Sequence, residues 1–74
     1  MSDATEILVE AIGLTITVRF RGTSMKAVYT KGSDPWLTLA ETVEDRDALI
    51  NLSQFRVLAW EAANKKAREL GWIV

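Results

Sequence analysis

The chain has 74 residues, 49% of them hydrophobic, with a net charge of -1 and neither Cys nor His. That length accommodates one domain over 1–74, and a domain of this size has a stability on the order of 4–11 kcal/mol. The missing Cys and His exclude a disulfide framework, the usual zinc ligand sets, and any Ser-His or Cys-His nucleophile pair.

Residues 3–12, DATEILVEAI, predict a short N-terminal helix. Asp3 and Glu6 have capping-box spacing, and Ile7, Leu8, Ala11 and Ile12 share one helical face. Gly13 then suits a left-handed stop. The rival reading of this segment is a strand, because Ile-Leu-Val is good strand material.

Residues 14–21 alternate, with Leu14, Ile16, Val18 and Phe20 on one side and Thr15, Thr17, Arg19 and Arg21 on the other. That period of two predicts a half-buried strand. Residues 25–31 predict its hairpin partner, with Met25, Ala27 and Tyr29 inward and Lys26, Val28 and Thr30 outward. Gly22 lies in the connecting turn. After the Asp34-Pro35 turn, residues 36–42 predict a third strand.

From about 45 to 70 the pattern is helical, with Asn51 and Ser53 as candidate breaks and Ser53 as a candidate cap. Phe55, Leu58, Ala59, Ala62, Ala63, Ala67 and Leu70 form an apolar stripe. Trp60 lies at its edge and is expected in the core. Lys65, Lys66 and Arg68 suit the helix C-terminus, and Gly71 ends it. The expected fold is therefore α+β: a three-stranded antiparallel meander packed on a long C-terminal helix. A short N-terminal element completes it.

Charge is blocked along the chain: residues 1–13, 14–33, 34–52 and 53–74 carry -3, +4, -4 and +2. Arg19, Arg21, Lys26 and Lys31 make the second block wholly basic. The acidic stretch Glu44, Asp45 and Asp47 is a natural counterpart to them.

Gly22-Thr23-Ser24-Met25 resembles the Gly-x-Ser-Met nucleophile segment of the self-cleaving repressor peptidases, which pair Ser with a Lys base. The downstream Lys65 and Lys66 sit at a helix end in a run that reads as solvated, whereas a Lys base needs burial. A hairpin turn with Thr and Ser bonded to local backbone accounts for the same residues. The α-β-β-β-α order is similar to that of the double-stranded RNA-binding domain, which implies phosphate contacts. That family places its Lys-rich segment at the start of the last helix. Here Asn64-Lys65-Lys66-Ala67 lies at the end.

These readings point to a non-enzymatic interaction module with no cofactor. Its expected partner is another protein or a second copy of itself, as a homodimer. The candidate binding surface is Arg19, Arg21, Lys26, Val28, Lys31 and Trp36; Trp is enriched at interfaces. The alternative is weak nucleic-acid binding by the same basic hairpin face. Small single domains of this kind are common among phage and prophage accessory genes. No apolar run approaches the roughly 20 residues of a membrane span. The acidic start MSDATE lacks a signal peptide's basic region, so the expected location is cytoplasmic, with no membrane partner.

Overall fold

A meander of four antiparallel strands leads into one helix. The computed structural model describes residues 6–73. The strands are β1 (Ile7–Ile12), β2 (Thr15–Phe20), β3 (Lys26–Lys31) and β4 (Leu37–Val43), and the helix is α1 (Leu52–Glu69). Strand order in the sheet follows chain order, β1-β2-β3-β4. The domain is thus α+β, as expected, with a fourth strand where an N-terminal helix was expected. No helix among the described residues is long and apolar enough to cross a membrane.

The strand at 7–12 corrects the helical expectation. Ile7, Val9 and Ala11 face α1 and are half-buried, while Leu8, Glu10 and Ile12 are exposed on the other side. The expected capping residue Asp3 lies outside the described residues. Gly13, read above as a helix stop, instead takes φ 60° in a two-residue link that pairs Ile12 with Thr15. Glycine at the first loop position fits the hairpin turns whose twist matches that of the strands.

A bulge interrupts the β3–β4 ladder: Val28 pairs with Glu41 and Tyr29 with Leu39, which leaves Ala40 as the extra residue. Residues 44–51 contain turns and bends, so helix does not begin at 45 as expected. It begins after Asn51, whose side chain accepts the Gln54 N–H at 2.8 Å while the Gln54 side chain accepts the Asn51 N–H at 3.0 Å. This reciprocal capping box explains why Asn51, and not Ser53, sets the start. At the far end Trp72 N–H donates to the Ala67 carbonyl and Gly71 N–H to that of Arg68, with Gly71 at φ 78°. These two bonds form a Schellman stop.

The core consists of Ile16, Val18, Met25, Ala27, Tyr29 and Leu37 against Phe55, Ala59, Ala63 and Ala67. The buried helix residues recur every fourth position, and three of the four are alanine. The helix axis can therefore approach the sheet closely, and it packs mainly on β2 and β1. Phe55, at the first buried turn, meets Phe20 edge-on at 6.4 Å between ring centres, a favoured aromatic geometry. Three expected core residues sit further out: Leu14 is in the Gly13 turn at 59% exposure, and Leu58 and Leu70 flank the buried row. Trp60 is also displaced to the flank, 45% exposed, with its ring tilted against Tyr29 at 5.7 Å. Trp72 and Ile73 pack against the core edge.

An Ala63→Leu substitution is expected to push α1 off β2 and lower stability by about 1–3 kcal/mol. Thermal denaturation should register this as a fall in Tm on the order of 10 °C.

Candidate functional site

The side of the sheet away from α1 carries no layer among the described residues, and the register fixes what it displays. One cross-strand row is Leu8–Arg19–Lys26–Val43. The next is Glu10–Thr17–Val28–Glu41, and the third is Ile12–Thr15–Thr30–Thr38. Arg19 and Lys26 are direct neighbours, flanked by aliphatic residues on both edge strands. The acids Glu10 and Glu41 lie one row further along, on those same edges. The face is thus amphipathic and of mixed charge, not purely cationic. Sequence reasoning missed Leu8, Glu10 and Ile12 on it, because it gave their segment to a helix. The strand propensity of Ile7-Leu8-Val9, followed by Gly13 as a hairpin-turn residue, was the signal that could have found them.

The expected surface residues divide three ways. Arg19, Lys26 and Val28 lie together on this face. Arg21 is exposed just past β2, where its N–H donates to the Glu6 carbonyl at 2.7 Å and extends the β1–β2 ladder. Lys31 is separated from them. It alternates with Tyr29 and Ala27, on the helix side, and its ammonium donates to the neighbouring Gly32 carbonyl at 2.8 Å. Trp36 is 56% exposed and precedes β4. It lies beyond the Thr38 row, so roughly 20 Å of strand separates it from the Arg19 row.

The acidic stretch does something other than pair with the basic strand residues. The Asp45 carboxylate accepts the Ser24 N–H at 2.8 Å and the Asp47 N–H at 2.9 Å, tying the β2–β3 turn to the segment before α1. Those two bonds hold the Asp45 carboxyl below its ordinary value of 3.8. Within the turn, the Thr23 hydroxyl donates to the Phe20 carbonyl at 2.8 Å and accepts the Met25 N–H at 3.0 Å. Gly22 takes φ 79°. The Gly-Thr-Ser-Met segment is a hydrogen-bonded hairpin turn with its serine backbone anchored by Asp45.

On the helix side, burial pushes the Tyr29 phenol above its ordinary value of 10.0, and the nearby Arg56 charge partly offsets this. A comparison of the sequence and fold with protein-family models, curated proteins and solved structures finds no significant match.

Two pH effects follow from these shifts. Folded Asp45 holds its proton less tightly than the unfolded chain does, so its contribution is present above about pH 4 and lost as pH falls through its lowered value. An Asp45→Asn variant should lose less stability than the parent in denaturant titrations between about pH 5 and 2. Tyr29 has the opposite sign: its contribution is full below pH 10 and lost as pH rises through the raised value. Tyr29→Phe should match the parent at neutral pH within about 1 kcal/mol and resist alkaline unfolding better.

Proposed function

We propose that the protein is a non-enzymatic interaction module that binds another protein through the open face of its sheet. The observation that carries this reading is the uncovered row Leu8–Arg19–Lys26–Val43, which sets two adjacent cations between aliphatic side chains. Aliphatic surface supplies the driving force for contact. Fixed charge among it supplies orientation and rate of encounter more than affinity. Leu8 is 39% exposed and Ile12 69% exposed, on a face that also carries Val28 and Val43. These aliphatic side chains are interspersed with Arg19, Lys26, Glu10 and Glu41, and a non-obligate protein interface is typically of such mixed, only partly apolar composition.

Nucleic-acid binding by the same face is the weaker reading. Glu10 and Glu41 stand one row from Arg19 and Lys26, where they would repel a phosphate backbone. Titration with labelled RNA and DNA at two salt concentrations separates the readings, because phosphate binding falls steeply with salt. Binding at low salt that collapses at high salt would favour nucleic acid.

The intact protein, used as bait in its native host, should retain a protein partner. The double variant Arg19→Glu/Lys26→Glu should lose that partner while its stability stays within about 0.5 kcal/mol of the parent. Undiminished capture by the folded double variant would refute the assignment of this face.

A further inference from the structure

We infer that β1 is a self-pairing edge. Two copies join β1 to β1 in antiparallel register about a twofold axis at Val9, making one continuous sheet with twice the four strands of a single copy. This rests on the reading that the protein works by contact, but it assigns a different surface, the sheet edge.

The two edges of the sheet are treated differently. β4 carries the bulge at Ala40, has Glu41 beside it and follows Pro35 closely, and bulges, charges and Pro are the usual guards against edge pairing. β1, ILVEAI, has no bulge in its ladder, no Pro and no Lys, and its one charge is Glu10.

The ladder also shows which groups that edge offers. Arg21 N–H bonds the Glu6 carbonyl, and bonded and non-bonded pairs alternate in an antiparallel ladder. Glu6, Leu8, Glu10 and Ile12 therefore turn their peptide groups toward β2. Ile7, Val9 and Ala11 turn theirs outward, and among the described residues β1 pairs with β2 alone.

Three twofold registers could join those outward groups, and charge chooses between them. An axis at Glu10 brings its carboxylate against its own copy in the closest kind of cross-strand pair. An axis at Leu8 sets Glu10 against Glu6 of the second copy. An axis at Val9 pairs Ile7 with Ala11, Leu8 with Glu10 and Glu6 with Ile12, and no acid opposes an acid. It forms about six backbone hydrogen bonds. It also brings Glu10 of the second copy to two strands, about 10 Å, from Arg19, within reach of two long side chains. The basic row of each copy then runs into the acidic row of the other.

The helix layer permits this approach. Since α1 rides mainly on β2 and β1, the two helices would stand about 10–14 Å apart, at or beyond the 8–10 Å of direct helix packing and so without a clash. The groove between β1 and α1, lined by Ile7, Val9, Ala62, Lys65, Lys66 and Glu69, opens toward that gap. Its cations and acid can meet their opposites across the axis.

Light scattering and analytical ultracentrifugation of the full chain test the inference. The parent should weigh twice the 8.3 kDa of one chain at micromolar concentration. Val9→Pro breaks no backbone bond within the chain, removes an outward-facing N–H, and replaces one half-buried apolar side chain with another, so it should yield a monomer with an unchanged circular dichroism spectrum. Glu10→Lys should weaken the dimer roughly tenfold, Glu10→Lys/Arg19→Glu should restore it, and Glu41→Lys should leave it intact. If Val9→Pro does not fold, the charge swap decides alone. A parent monomeric throughout, a folded Val9→Pro that still dimerises, or a swap that fails to restore would overturn the inference. A monomeric parent that still captures a protein through Arg19 and Lys26 would sink the edge while leaving the open-face reading standing.

Discussion

The structure depends on how much of a sheet one helix can cover. A helix with its side chains is about 10–12 Å across, and four strands at about 4.8 Å spacing make a sheet nearly twice as wide. With alanine at Ala59, Ala63 and Ala67, α1 settles close to β2 and seals Ile16, Val18 and Ala27 completely. Closeness is gained at the expense of breadth, because small side chains reach no further than the strands directly beneath them. Phe55 extends the cover at one end, where it meets Phe20, and Trp60 extends it sideways over Tyr29. Beyond those two aromatics, β4 is left with Leu37 as its single fully buried residue.

The local devices around the helix serve the same requirement. A narrow apolar row is useful only if its phase relative to the sheet is fixed, and both ends of α1 are tied. The reciprocal Asn51–Gln54 bonds set the first turn, and the Gly71 stop folds Trp72 and Ile73 back onto the core. Asp45 adds a third tie, from the segment before α1 to the β2–β3 turn. With no buried polar or charged residue among those described, the interior carries no electrostatic preference for one packing over another. Its phase must come from these caps and from the aromatic contacts.

Much of this was legible in the sequence, where local pattern and tertiary burial agree. The alternation in TITVRF, the basic hairpin and the alanine stripe each carry one period and one buried side, and the inward placement of Ile16 and Val18 with Arg19 outward follows directly. The segment 7–12 was misread because both of its sides carry apolar residues. Ile7, Leu8, Ala11 and Ile12 satisfy helical spacing as well as Ile7, Val9 and Ala11 satisfy a strand. Segment 45–50 was read as helix on composition, without allowance for an aspartate that bonds backbone in a turn. The site was legible where it lies within one hairpin, at Arg19, Lys26 and Val28. It was not legible where it depends on β1, or where strand parity sends Lys31 to the helix side.

The ambiguity at β1 has a physical meaning of its own. A strand reads cleanly when one face is wet, because polar residues then fill every second position. Leu8 and Ile12 break that rule on a side no described residue covers, and they do so on an edge strand, where an apolar outer face is most hazardous. On β4, the other edge, the outer positions hold Thr38 and Glu41, and Val43 comes only at the strand's last residue. If the outer face were simply wet, both edges would be expected to carry the polar pattern of β4. The difference between them fits the self-pairing we infer, in which one edge is closed to further pairing and the other is left open for it. Under that inference the strand hardest to read in the sequence is the one a second copy would extend.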